Sequence, residues 1–324
     1  MNRRLLGAAA AVLAAALAVA SCSSSEGGGS SSNAEGVQTV RLGAGTAAGY
    51  SASTQVPALG KKNGLDIKVT NYPSSSDRSV ALISGKLDVA FIGWTDLVKL
   101  ISQGRDLVAV ASNFEGGRPI IARKGSGIHD IKDLPGKKVA YSIGSMVDLD
   151  MHAELAARNI PFKRVAPVNM TFDQMPIALQ SGAIDAYYGA EPQGSQSIVS
   201  GAGYLVQSST DVPYGAINVA VVTTRSYLKN NSATLSKFLR TYVDATKSLT
   251  GDKALFTKVL KTNAKITDPK VIDSTLADLK LTYTLDGYEP KVNELIQAEL
   301  RLGLIKKAPK VSDVVDSSLL SDLK

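Results

Sequence analysis

The sequence predicts an α/β protein of two lobes with a helical part at its C-terminal end. Three observations predict it. From Val37 to about Thr224, apolar runs of strand length alternate with helix-patterned stretches, and several runs are continuous Val, Ile and Ala, as in strands covered on both faces. Two segments 97 residues apart, Ala81-Leu82-Ile83-Ser84-Gly85-Lys86-Leu87-Asp88 and Ala178-Leu179-Gln180-Ser181-Gly182-Ala183-Ile184-Asp185, share five identities in eight. Each runs from the end of a periodic helix, through a glycine placed for a left-handed cap, into a short apolar strand. Finally, about 290 residues remain after the first 36, more than one comfortable core holds.

The chain opens with Arg3 and Arg4, an Ala- and Leu-rich run from Leu5 to Ala20, and small residues before Cys22. Residues 1–22 therefore predict a secretory leader, since about 16 apolar residues fall short of the ~20 that span a bilayer. Cys22 is the sole cysteine, which excludes disulfides and thiolate chemistry from the rest of the chain. Residues 23–36 are almost entirely Ser, Gly, Asn and Glu, a composition that predicts a flexible tether. Loss of the leader removes two arginines and leaves 34 basic against 29 acidic residues. The lysine doublets at Lys61-Lys62, Lys137-Lys138 and Lys306-Lys307 form no stripe, so no nucleic-acid partner is expected. A mild attraction for small anions follows from the charge.

Predicted strands follow at Val40–Gly45, Leu65–Tyr72, Leu87–Ile92, Leu107–Ser112, Pro119–Arg123, Lys138–Ser142, Arg164–Val168, Ile184–Tyr188, Tyr204–Gln207 and Ile217–Thr223. Strand-helix-strand alternation implies largely parallel sheets. The flexible Glu115-Gly116-Gly117 precedes the fifth strand, and the tenth is the last before an apparently all-helical tail. These two strands are expected to cross between lobes, giving 37–117 plus 219–324 as lobe 1 and 118–218 as lobe 2. Helices are predicted over Ser232–Leu249, Asp252–Leu260, Asp268–Leu281 and Tyr288–Leu302, each opened by a capping or acidic residue.

Gly43-Ala44-Gly45-Thr46-Ala47-Ala48 satisfies a relaxed dinucleotide fingerprint. The next strand, however, ends in Thr70-Asn71-Tyr72 without an acid for a ribose, and Gly49 and Pro57 interrupt the helix that should follow. Ala140-Tyr141-Ser142-Ile143-Gly144 imitates a nucleophile elbow, but His129 and His152 are the only histidines and none follows them as the acid-base partner. No catalytic residue, cofactor or metal is expected.

What remains is a set of polar turns at strand ends, where ligands bind in open α/β sheets. Ser74, Ser75, Ser76 and Asp77 follow the second strand; Trp94, Thr95 and Asp96 follow the third. Gly144, Ser145 and Met146 open a helix of lobe 2, and Thr171 and Glu191 stand at comparable turns. Helix N-termini offer unpaired N–H groups that suit an anion, and the same residues can serve as ordinary caps. Arg78 and Arg118 are the basic residues nearest these turns and are candidate anion partners. Trp94, the sole tryptophan, is expected at the gap between lobes. Asp88 and Asp185, at strand starts, are expected to cap backbone.

Three stretches resemble one family. Ala81–Asp88, Ile131–Ala140 within "DLPGKKVAYSIGS", and "ALQSGAIDAYYGAEP" at Ala178–Pro192 are similar to the solute-binding lipoproteins of ABC importers of the nitrate/sulfonate/taurine type. The leader's Val19-Ala20-Ser21-Cys22 resembles a lipobox. The resemblance implies a periplasmic-binding-protein-like fold of type II, with two hinge strands and the helical C-terminal part packed on the first lobe. It further implies a monomer that makes and breaks no bond, is lipid-anchored through Cys22 on the extracytoplasmic side of the cell membrane, and delivers a small polar or anionic solute to an ATPase-driven permease. Carried over by position, ligand contacts fall at Gly45–Thr46, Ser74–Ser76, Trp94–Thr95, Gly144–Met146 and Glu191. Many sulfonate- and taurine-type relatives place a tryptophan just before the acid-proline pair, where this chain has Tyr187-Tyr188-Gly189-Ala190. A receptor for a thiamine-precursor pyrimidine and a pyrimidine-precursor synthase on the same fold are the alternatives.

Overall fold

A computed structural model describes residues 37–208, 212–321 and 323; the expected leader, Cys22 and tether lie outside the described residues. The described residues hold together as one unit by their contacts. Within it the chain builds two sheets. The first is made of β1 (Gln38–Ala44), β2 (Leu65–Asn71), β3 (Val89–Gly93), β4 (Leu107–Gly116), β10 (Ile217–Thr224) and β11 (Leu279–Leu281). The second contains β5 (Ile120–Arg123), β6 (Lys138–Tyr141), β7 (Ala166–Asn169), β8 (Ala186–Tyr188) and β9 (Gly203–Gln207). Their orders are β11-β4-β10-β3-β1-β2 and β7-β6-β8-β5-β9.

Each sheet has a parallel part bounded by antiparallel strands. β1 runs parallel to β2 and β3, with Leu42 opposite Val69 and Val89. β10 lies antiparallel between β3 and β4. In the second sheet β6 is parallel to β7 and β8, while β5 is antiparallel to β8 and β9. The chain passes from the first sheet to the second through Gly117-Arg118-Pro119 and returns between β9 and β10.

Side-chain alternation explains why the short strands of the second sheet hold. Ile120, Ala122, Val139, Tyr141, Ala186 and Tyr188 face one core, while Ile121, Ala140 and Tyr187 face the other. Helix α4 (Met146–Ala157) covers the first face through Val147, Met151 and Leu155, and α5 (Met175–Gln180) covers the second through Met175 and Leu179. β4 is buried along nearly its whole length and belongs to the larger core. That core is closed by α1 (Val56–Lys62), α2 (Ser75–Ile83) and α3 (Trp94–Ser102). Between the passages α6 (Gln193–Val199) follows β8, and after β10 come α7 (Arg225–Asn230), α8 (Ser232–Gly251), α9 (Lys253–Thr262), α10 (Pro269–Asp278), α11 (Tyr288–Arg301), α12 (Val311–Val314) and α13 (Ser318–Ser321). In α8, Leu235, Phe238, Leu239, Tyr242 and Val243 recur at helical spacing and are buried. Asp252 and Asp268 cap α9 and α10 by accepting backbone N–H groups.

The C-terminal part is not all helical. The helix expected over Asp268–Leu281 stops at Asp278, and Leu279-Lys280-Leu281 alternates inward and outward as β11, pairing with the edge of β4. Three residues are too few for period-two alternation to stand out against a helical pattern.

The two related segments adopt one structure. Gly85 and Gly182 take φ of +74° and +75°, where only glycine is unstrained. Lys86 N donates to Ala81 O and Ala183 N to Ala178 O, both at 2.9 Å. Asp88 then accepts from Arg41 N at 2.8 Å, and Asp185 from Lys138 N at 3.0 Å, each on the neighbouring parallel strand. An arginine completes each clamp: Arg41 on Asp88 at 2.6 Å and Arg123 on Asp185 at 2.8 Å.

Candidate functional site

Three of the expected turns lie together because β3, β1 and β2 are adjacent and parallel, so their carboxyl ends share one edge. Gly45 and Thr46 follow β1, Ser74 and Ser75 open α2 after β2, and Trp94 and Thr95 open α3 after β3. Ser74 is a cap: its hydroxyl accepts from Asp77 N at 3.0 Å and donates to Asp77 Oδ2 at 2.7 Å. Ser75 Oγ accepts from Gly93 N at 3.0 Å, joining two of the turns. Asp96, in the first turn of α3, is held above the usual carboxylate range by burial, against a hydrogen bond with Ser75 and the charges of Lys99 and Arg78.

Arg78 lies beneath these turns, 2% exposed. Its Nε donates to Phe91 O, and its Nη2 donates to the Tyr50 hydroxyl at 2.9 Å. A longer bond from Nη1 reaches Tyr72 O at 3.4 Å, and the guanidinium stands 4.9 Å from the Tyr50 ring centroid. Among the described residues no carboxylate comes within ion-pair distance of it. A buried guanidinium held only by carbonyls and a hydroxyl keeps a positive field at these turns, which Asp96 feels and which favours a further negative charge there. Gly45 allows the close approach, since a Cβ there would meet the Tyr50 ring at 2.8 Å and Arg78 Nη1 at 3.4 Å.

Trp94 departs from the expected gap-lining position. β3 runs directly into α3, so Trp94 is the first helical residue; its ring is wholly enclosed against Tyr288 of α11, centroids 5.6 Å apart. Its Nε1 has no hydrogen-bond partner among the described residues.

In the five-stranded half, Gly144 takes φ of +77° and donates its N–H to Asp148 Oδ2 at 2.8 Å. Ser145 Oγ donates to Ser142 O at 2.6 Å, which ties the turn to itself. Met146 is buried, and with Leu149 it belongs to the core of the six-stranded half. α4 thus touches both cores and brings the Gly144–Met146 turn against the other half. Thr171 is exposed and engaged locally, its N–H donating to Gln174 Oε1 at 3.2 Å.

Arg118 stands in the first passage, and Glu191, in the turn between β8 and α6, lies beside it, its N–H donating to Gly117 O at 3.1 Å. Burial pushes Glu191 up to about 7, although its Oε2 accepts from Ser195 N and the Thr275 hydroxyl, both at 3.2 Å. Thr275 belongs to α10, and Ser195 Oγ also donates to Ser274 Oγ there at 2.9 Å. Arg118 is corrected as an anion partner: it is paired with the buried Asp150 at 2.6 Å, so its charge already has a match. Sequence reasoning missed Tyr50 and Asp150. Both are distant in sequence from the arginines they hold, and no local spacing signals them.

A family model described as "NMT1/THI5 like" matches residues 61–252, more than half the chain. The chain belongs to the NMT1/THI5-like family. A Bacillus subtilis (strain 168) protein provisionally named for binding aliphatic sulfonates is 23% identical over 267 residues, covering 80% of this NMT1/THI5-like chain and 79% of the relative. Among solved structures, the periplasmic aliphatic sulphonate binding protein SsuA from Escherichia coli superposes with a TM-score of 0.74 at 19% identity, covering 86% of this chain and 92% of that one. The periplasmic nitrate-binding protein NrtA from Synechocystis PCC 6803 superposes with a TM-score of 0.71 at 17% identity over 88% of both chains. The fold is therefore that of the periplasmic binding proteins.

Proposed function

We propose that this chain is the extracytoplasmic solute-binding lipoprotein of an ABC importer. Its two lobes, 37–117 with 219–324 and 118–218, close on a small anionic solute of the sulfonate, taurine or nitrate kind. Held to the membrane by lipid on Cys22 and acting as a monomer, it hands that solute to a permease and transforms nothing. Arg78 carries the reading: a buried guanidinium that forms no ion pair among the described residues, beneath three turns at the ends of parallel strands, is suited to a charge that arrives with the ligand. The names of the relatives, sulfonate- and nitrate-binding, agree with that charge. Closure follows when a solute touches both lobes and so favours the shut form. Gly45, Thr46, Ser75 and Thr95 would supply contacts from one lobe, and Gly144, Ser145 and Met146 from the other.

The test is titration calorimetry of the purified chain with taurine, a linear alkanesulfonate, nitrate and an aminopyrimidine. One of the three anions is expected to bind. Binding of the aminopyrimidine alone would replace the anion reading with that of a heterocycle receptor, and chemical turnover of the bound solute, followed by NMR, would make the chain an enzyme.

A further inference from the structure

The two passages between the sheets meet at one ion pair. Arg118, 3% exposed, stands in the first passage, and its guanidinium reaches the second: Nη1 donates to Ala216 O at 3.1 Å and Ile217 O at 2.7 Å, and Nη2 donates to Gly215 O at 2.9 Å. Its Nε donates to Asp150 Oδ2 at 2.6 Å. Asp150 is wholly buried on α4, and its other oxygen accepts from the hydroxyl of Tyr214, again in the second passage, at 2.9 Å. The next acid along α4, Glu154, pairs with Arg158 and accepts from Gln207 Nε2 at 3.0 Å.

Such a pair is a poor means of stabilising a fold. Desolvation of two charges offsets most of their attraction, and apolar replacements of similar volume are often neutral. Its geometry is better matched to orientation. A guanidinium is planar and donates in fixed directions, so three carbonyls and one carboxylate together fix how α4 is held against the passages. α4 is also the helix that opens with the Gly144–Met146 turn and seats Met146 and Leu149 in the core of the six-stranded half.

We propose that Arg118 and Asp150 are positioning residues for closure: by tying α4 to both passages they make the swing of one lobe carry Gly144–Met146 onto the turns above Arg78, and so set the ratio of shut to open protein without touching the solute. The inference rests on the closing motion of the proposed function. It concerns two residues outside the solute contacts proposed above.

The test compares the full chain with Arg118→Lys, which keeps the charge and loses the fork, and with the double replacement Arg118→Met and Asp150→Leu, which removes both charges. Amide hydrogen exchange is read without solute over Met146–Leu149 and over β1 and β3, beside thermal unfolding and the affinity for whichever panel solute binds. In both variants exchange over Met146–Leu149 should rise on the order of ten-fold while β1 and β3 stay protected, and affinity should fall by a similar factor, as a shifted shut-to-open ratio requires. Unchanged exchange and affinity beside a lowered melting temperature would make the pair merely structural and overturn the proposal. Arg118→Lys alone decides the matter if the double variant does not fold. A parent chain that binds no panel solute, but whose variants show the exchange response, supports the coupling and overturns the solute reading.

Discussion

Arg78 and Arg118 stand equally near the candidate turns in sequence, yet the fold gives them opposite roles. Arg118 meets Asp150, 32 residues on; Arg78 meets a hydroxyl, two carbonyls and the face of Tyr50. No spacing rule on a helix or strand distinguishes them, because both outcomes depend on contacts that only the tertiary structure makes. Arg78→Met should therefore abolish anion binding by on the order of 100-fold or more, the cost of removing one partner from a buried charge pair. It should also lower stability by about 1–3 kcal/mol, since Tyr50 and Phe91 O lose their donor. Calorimetry at a temperature where circular dichroism shows the variant folded separates the two effects. Undiminished binding in that variant would remove the anchor of the anion reading.

At the scale of elements, the repeated Ala-Leu-X-Ser-Gly segments were readable because a glycine after a periodic helix has few other uses. Gly85 and Gly182 both have open space around the missing Cβ, so alanine would meet no atom there. The only cost is the backbone's, and Gly85→Ala and Gly182→Ala should each destabilise by about 1–2 kcal/mol. Denaturant unfolding should return nearly equal losses from the two; a clearly unequal pair would mean that the caps differ in a way their geometry does not show. The continuous Val and Ile runs likewise marked β1 to β4 and β10, whose ends differ from expectation by a few residues. β11 escaped notice because its Leu-Lys-Leu takes its strand pairing from the edge of β4, more than 160 residues away.

Over the whole molecule, the alternation of strands and helices disclosed an α/β fold with a second sheet and the places where the chain passes between the two. It disclosed nothing of which acids would be buried. In the folded chain burial raises Glu191 to about 7, Asp278 to about 6 and Glu299 to about 9, while in the unfolded chain Glu and Asp return to 4.5 and 3.8. Between those limits the folded form holds more protons than the unfolded one, so stability falls as pH rises. His152, lowered by burial, acts in the opposite sense, but only below its ordinary 6.5. The melting temperature should accordingly drop from pH 5.5 to 8.5. Above pH 7 the slope that remains belongs mainly to Glu299, both of whose carboxyl oxygens lack a hydrogen-bond partner among the described residues, and Glu299→Gln should flatten it by up to about 1.4 kcal/mol per pH unit. A melting temperature that climbs with pH would show these acids ionised in the fold. Trp94 offers a last consequence. As the sole indole, fully buried against Tyr288, it makes the chain's tryptophan emission come from one enclosed place at the start of α3, beside Thr95. The protein carries its own optical gauge there, and needs no attached dye to report what happens at that turn.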